Sequence, residues 1–230
     1  MPSPAPAPRS TADPAETAMP DITLYNYWRS SASYRVRIAL NLKGLAYEQV
    51  VVNLLAGEHR KETHRARSPI GYVPALEIDG QMMTQSLAIL EYLDTKYPEP
   101  ALLPADPAEA ARLRAIAYAI AMDIHPICNL NVTNHHAAAF DGDDSAKDAW
   151  MVHFMTRGLA AVEEMAGHPG TGPFLHGATP GMADCVLVPQ LYNARRRNMD
   201  LADMPRLAAI EEACLAHPAF AAAVPEAVGP

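Results

Sequence analysis

The 230 residues are half apolar and 19% charged, which excludes a disordered chain and leaves material for the core of one domain or two small ones. A net charge of −8 argues against a nucleic-acid surface, because phosphate binding needs concentrated Lys and Arg; any anionic ligand must be met by local arginines. No apolar run approaches the ~20 residues that cross a bilayer, and Cys128, Cys185 and Cys214 are widely spaced without CxxC or Cys/His metal spacing, which points to a reducing compartment, the cytoplasm, and to no metal site.

Residues 1–20 are Pro/Ala-rich, lack the apolar stretch of a secretory leader, and are expected to form a disordered tail. Ile22 to Trp28 alternates and is rich in Ile and aromatics, the signature of a strand. Ala32, Val36, Ala39 and Leu40 then fall on one face of a helix over residues 32–43, stopped by Gly44. Ala46 to Val52 is a second strand, completing a βαβ unit whose strands should be parallel and whose crossover should be right-handed. Gly57 to Ser68 reads as one irregular helix. Val73 to Ile78, the turn Asp79-Gly80 and Met82-Met83 predict a tight hairpin with Pro74 at the first residue of its strand. Ser86 is placed to N-cap a helix carrying Leu90, Leu93 and Tyr97 and ended by Pro98.

The segment from Tyr97 to Pro107 holds four prolines and separates this α/β part, residues 21–101, from the rest, with 102–107 as linker. Residues 108–230 look wholly helical, with helices predicted over 108–128, 146–166, 182–197 and 207–223. No repeat is present.

The chemistry gathers at three places. Arg29, Ser30 and Ser31 stand where the first strand passes into the first helix, whose opening turn leaves about four N–H groups without partners; such a terminus, with hydroxyls beside it, suits an anion such as a thiolate. Plain N-capping by Ser30 or Ser31 explains the same residues. Val73-Pro74 offers an extended backbone edge, and Gln85-Ser86 opens a second helix, although each alone is an ordinary surface or capping residue. Together these features outline a site for a short peptide bearing a carboxylate at one end and an anionic group at the other.

The stretches YWRSSASYRVRIALNLKGLAYE, GYVPALEIDG, QSLAILEYL, LLPADP, IHPICNL and ADCVLVPQLYNARRRNMDL, in this order and spacing between Ile22 and Phe220, resemble the zeta class of glutathione transferases, the class of the maleylacetoacetate and maleylpyruvate isomerases. The resemblance implies an α/β thioredoxin-like N-terminal domain, an all-α C-terminal domain, a homodimer and glutathione as cofactor. It implies that Val73 pairs with the glutathione backbone, that Pro74 is cis, and that Gln85, Ser86 and Asn129 contact glutathione. Ser31, with Ser30 next, is expected to donate to the thiolate, and Tyr27 is the rival. The reaction implied is thiolate addition to a cis-enoic diacid, rotation about the resulting single bond and elimination. Cations must hold the diacid, and Arg29, Arg196 and His125 are the candidates. Arg195 and Arg197 are expected to be surface charges. For Arg196 a solvated helix face, and for His125 a hydrogen bond near Pro126, are the plain alternatives.

Two departures bear on substrate range. Many zeta enzymes carry cysteine where this chain has Ala32, which weakens dehalogenation through a mixed disulfide but not isomerisation. Cys128 stands where relatives often have Asn or Gln. A third departure is structural: Gly181 replaces the Ser or Thr that usually pairs with Asp184 in a capping box, a change expected to cost a few tenths of a kcal/mol. The competing activities are maleylpyruvate isomerisation and general glutathione transfer or dehalogenation. A catalytically silent interaction protein of the same fold is the alternative of a different kind, and the retained serines and arginines speak against it.

Overall fold

A computed structural model describes residues 21–140 and 142–229, so the tail expected at residues 1–20 lies outside the described residues. β1 (Thr23–Asn26) leads into α1 (Ser31–Leu42), and β2 (Glu48–Val51) runs parallel to β1 with Tyr25 opposite Val50. β3 (Ala75–Ile78) is antiparallel to β1, with Leu24 opposite Leu76, and β4 (Gln81–Thr84) is antiparallel to β3. The sheet order is therefore β2-β1-β3-β4. Asp79 and Gly80 both take positive φ, 52° and 70°, the geometry that a two-residue Asp-Gly hairpin turn requires.

Three local expectations in this half are corrected. Residues 57–68 form a 3₁₀ turn (Glu58–Arg60) and a separate short helix, α2 (Glu62–Arg65). Val73 and Pro74 precede β3, because the next ladder partner of β1 would be Pro74, which has no N–H to donate. Gln85, not Ser86, is the cap residue of α3 (Ser86–Lys96), and Ser86 is its first helical residue.

The second half holds α4 (Pro107–Tyr118), a π-helical stretch (Ala119–Ile124), α5 (Leu130–Ala139), α6 (Asp144–Met165), α7 (Met182–Arg195), α8 (Pro205–Ala216), α9 (Pro218–Ala221) and α10 (Pro225–Val228). Asp106 caps α4 by accepting the Ala108 and Glu109 N–H groups at 3.0 and 2.9 Å, and Pro107 sits in the first turn, where its missing N–H costs nothing. The helix predicted to reach Cys128 loosens into the π stretch and ends before His125. The helix predicted over 207–223 breaks at Pro218, which cannot donate to the preceding turn. α5 and α10 were not foreseen.

α1 is buried from Ser33 to Leu40 on every side, rather than along one face. It packs against α3, α7 and α9, so two charged residues, Arg35 and Arg37, lie in the interior at 2% and 0% exposure. Its C-terminal end is pinned by Lys43, which pairs with Asp94 at 2.8 Å and donates to the Pro100 carbonyl at 2.6 Å, while Asn41 donates to the Ala219 carbonyl at 2.9 Å. These bonds join the sheet half to the interdomain segment and the C-terminal helices.

The start of α7 explains its glycine. Asp184, buried, accepts the Gly181 N–H at 2.8 Å and the Leu175 N–H at 2.9 Å, so one half of a capping box is intact. A Cβ on Gly181 would stand 2.6 Å from the Leu102 carbonyl oxygen, which accepts the Met182 N–H at 2.8 Å. Glycine is thus set by close backbone approach, and the expected penalty for lacking serine is overturned. Gly181→Ser is expected to lower stability by about 1–3 kcal/mol, as overpacking does, seen as a lower urea midpoint at unchanged slope; a raised midpoint would contradict the close approach.

Candidate active site

Every candidate catalytic or glutathione-binding residue lines one cavity of about 1020 Å³. Arg29, Ser30 and Ser31 enter it from the start of α1, Val73 and Pro74 from the segment before β3, and Gln85 and Ser86 from the start of α3. His125 and Asn129 come from the turn after the π stretch, and Arg196 from the end of α7.

The two hydroxyls are not equivalent. Ser30 is the N-cap of α1, and its Oγ accepts the Ser33 N–H at 3.2 Å, which leaves its own hydrogen free. Ser31 is 9% exposed, and its Oγ donates its one hydrogen to the Pro189 carbonyl of α7 at 3.4 Å. Hydrogen bonding therefore ranks Ser30 ahead of Ser31 as a donor to a bound anion, the reverse of the order expected. Tyr27, the rival, lines the cavity but packs with Val52 and Val73 in a small apolar cluster.

The Val73–Pro74 peptide bond is cis, as the resemblance implies. Among the described residues no hydrogen bond engages the Val73 backbone, so its N–H and C=O are open to an extended ligand. Gln85 adopts φ 69°, ψ 108°, a conformation that costs a non-glycine residue about 1–3 kcal/mol and that clusters at functional sites. It gives α3 no side-chain cap. Asn129 caps α5, its Oδ1 accepting the Leu130 N–H at 2.8 Å.

The arginine triplet divides. Arg195 pairs with Glu211 and Arg197 with Asp148, and Arg196 between them has no carboxylate partner among the described residues. Arg197 is no surface charge: its side chain is 22% exposed and it lines the cavity. Arg29 stacks on Trp28, its guanidinium carbon 4.0 Å from the ring centroid, and likewise lacks a carboxylate. Partial burial, then the charges of Arg197 and Arg29, lower the Arg196 pKa, so this corner is short of negative charge.

His125 does not fit a cation. Burial, with the Arg35 charge adding to it, pushes its pKa down to about 3, so the ring is neutral at physiological pH. Burial raises the Cys128 thiol to about 11, which leaves it protonated and unreactive. The sequence reading missed Arg35, which also lines the cavity from inside α1, because an arginine between Tyr34 and Val36 carries no signal of its own. Among the described residues no group of three or more His, Cys, Asp or Glu could hold a metal.

The family model of the glutathione S-transferase N-terminal domain matches residues 20–95, and that of the C-terminal domain residues 145–214. A maleylacetoacetate isomerase of Rhizobium meliloti (strain 1021) is 53% identical over 210 residues, covering 91% of this chain and 99% of that protein. The chain belongs to the zeta class of the glutathione transferase family. A maleylpyruvate isomerase of Ralstonia sp is 44% identical, covering 89% and 97% of the two chains. The solved maleylacetoacetate isomerase of Anaeromyxobacter dehalogenans 2CP-1, with glutathione bound in its active site, is 45% identical with a TM-score of 0.82 and covers 90% of this chain and 96% of its own. The sheet half is accordingly the thioredoxin-like domain of a glutathione transferase and the helical half its all-α domain.

The neutral His125 of this glutathione transferase has a consequence for stability. The unfolded chain binds the His125 proton near pH 6.5 and the folded chain only near 3, so acid between those values favours unfolding, at most by about 1.4 kcal/mol per pH unit from this group. His125→Gln, which cannot take up that proton, is expected to lose stability less steeply between pH 6.5 and 4 in chemical denaturation. Identical pH dependence in the two proteins would contradict a ring held neutral in the folded chain.

Proposed function

We propose that this chain catalyses the glutathione-dependent cis–trans isomerisation of maleylacetoacetate to fumarylacetoacetate. Its zeta-class relatives carry the names of maleylacetoacetate and maleylpyruvate isomerases. The observation that carries the reading is one cavity holding two carboxylate-free arginines, Arg29 and Arg196, together with the uncommitted hydroxyl of Ser30.

The donor set fits glutathione: an open backbone edge at Val73, an uncapped helix start at Gln85-Ser86, and a free hydroxyl at the start of α1. When bound, glutathione supplies the thiolate that adds to the cis double bond and departs once the bond has rotated. Ser30 donates its hydrogen to that sulfur, and the α1 N-terminus adds its positive end; each unit by which they lower the thiol pKa is worth about 1.4 kcal/mol. Ser31 holds the loop against α7. Val73 pairs with the peptide backbone, and Gln85 and Ser86 take a carboxylate. Arg29 and Arg196 hold the acid groups of the substrate and stabilise negative charge as it develops on the substrate oxygen. His125 and Asn129 offer neutral polar contacts on the same wall.

We further propose a cytoplasmic homodimer, supported by three free, buried cysteines and by exposed apolar residues at Val51, Leu55 and Met82. Among the described residues no helix is long and apolar enough to cross a membrane.

The test follows the loss of maleylacetoacetate and maleylpyruvate absorbance with and without glutathione. Turnover that needs glutathione and favours maleylacetoacetate is expected; faster turnover of maleylpyruvate would reassign the substrate, and turnover independent of glutathione would contradict the reading. Arg196→Ala should raise the diacid KM by about 10- to 100-fold, the loss of a charge-assisted pair, and leave glutathione binding unchanged. Loss of glutathione binding instead would refute its assigned role.

A further inference from the structure

We propose that Arg35 is a positioning residue for the cofactor: from behind Ser86 it fixes that hydroxyl as a donor into the cavity and supplies an uncompensated charge to a carboxylate held at the N-terminus of α3. The inference rests on the reading of the cavity as a glutathione site.

Arg35 is 2% exposed and, among the described residues, makes a single hydrogen bond, from Nη1 to the Ser86 Oγ at 3.2 Å. Among the described residues its Nε and Nη2 have no partner, and no carboxylate pairs with it. The contrast lies two residues on. Arg37, equally buried, places Nε, Nη1 and Nη2 on the Ala223 carbonyl, Asn26 Oδ1 and the Trp28 carbonyl at 3.0–3.1 Å. Every guanidinium nitrogen of Arg37 has an acceptor in the fold; only one of Arg35's does.

A buried guanidinium without counter-charge is costly, and the cost is offset when an anion comes near. Burial lowers the Arg35 pKa only to about 10, so the side chain stays charged at neutral pH. The place for the anion is the start of α3. Gln85 offers no side-chain cap, and the first helical bond is from Ile89 N–H to the Gln85 carbonyl, so the N–H groups of Ser86, Leu87 and Ala88 have no intrahelical acceptor. All three residues line the cavity. A guanidinium can only donate, so Ser86 Oγ must accept from Arg35, and its one hydrogen is left for the ligand. Helix terminus, hydroxyl and interior charge thus favour the same carboxylate.

Calorimetric binding of glutathione and of an analogue lacking the γ-glutamyl α-carboxylate, γ-aminobutyryl-cysteinyl-glycine, tests this. The wild type should prefer glutathione. Arg35→Met should weaken glutathione by about 10- to 100-fold, as loss of a charged donor does, while hardly changing the analogue, and Arg35→Lys should recover part of the preference. Ser86→Ala added to Arg35→Met should cost little more, since the two act as one unit. The ligand-free Arg35→Met protein should also melt at a higher temperature. Should the methionine variant not fold, Arg35→Gln, which keeps a neutral donor for Ser86, must show the same loss of preference. Equal weakening of both ligands, or no weakening of either, would overturn the proposal; a wild type that binds no glutathione would instead overturn the functional reading beneath it.

Discussion

Arg37 ties the end of β1 and the loop after it to the C-terminal end of the chain. Its fork holds the side chain of Asn26 at the end of β1, the carbonyl of Trp28 in the loop that follows, and the carbonyl of Ala223 beyond α9. That loop carries Arg29 and Ser30, so the C-terminal end of the helical domain fixes the residues that α1 presents to the cavity. Five rigid donors suit the task where a flexible ammonium would not. Ser31 adds a second tie, from the first helical turn to the α7 backbone, and Lys43 a third at the other end of the helix. An active centre built between two domains is thereby held without any flexible linker setting its width.

The charge of the cavity differs in kind from that of the whole chain. The chain is acidic by eight charges, yet Arg29, Arg35, Arg60, Arg65, Arg196 and Arg197 all line the cavity, and among the described residues Glu91 is the one carboxylate that does. Glu91 is itself engaged, accepting from Arg114 at 2.9 Å and from the Tyr118 hydroxyl at 3.1 Å. A concave, positive surface on an acidic protein focuses small dianions and a thiolate peptide while discouraging nucleic acid and other polyanions. Desolvation, with the charge of Arg35 adding to it, keeps His125 neutral beside this cluster.

The α/β half was largely legible because its signals are local. Alternation marked β1, Asp79-Gly80 marked the hairpin, and apolar spacing marked α1 and α3. The residues of the cavity could be named as well, through helix starts and through the family likeness. What stayed hidden depends on partners distant in sequence. The ranking of Ser30 over Ser31 is decided by the Pro189 carbonyl on α7. The need for glycine at 181 is decided by the Leu102 carbonyl, and the burial of Arg197 by Asp148. α5 was missed because its Asn, Thr and His residues have weak helix propensity, and packing against α6 holds it. His125 was misjudged because a histidine's charge is set by desolvation, which no residue spacing reports.

Titrating the thiolate absorbance of glutathione bound to the protein addresses the central claim most directly, since it reads the ionisation of the sulfur itself and not the turnover that follows. The bound thiol should ionise at least about one pH unit below the free one, a difference of about 1.4 kcal/mol, and should return toward the free value in Ser30→Ala but not in Ser31→Ala. An unshifted thiol in the wild type, or a shift abolished by Ser31→Ala and untouched by Ser30→Ala, would contradict a sulfur anion steadied by the uncommitted hydroxyl at the start of α1.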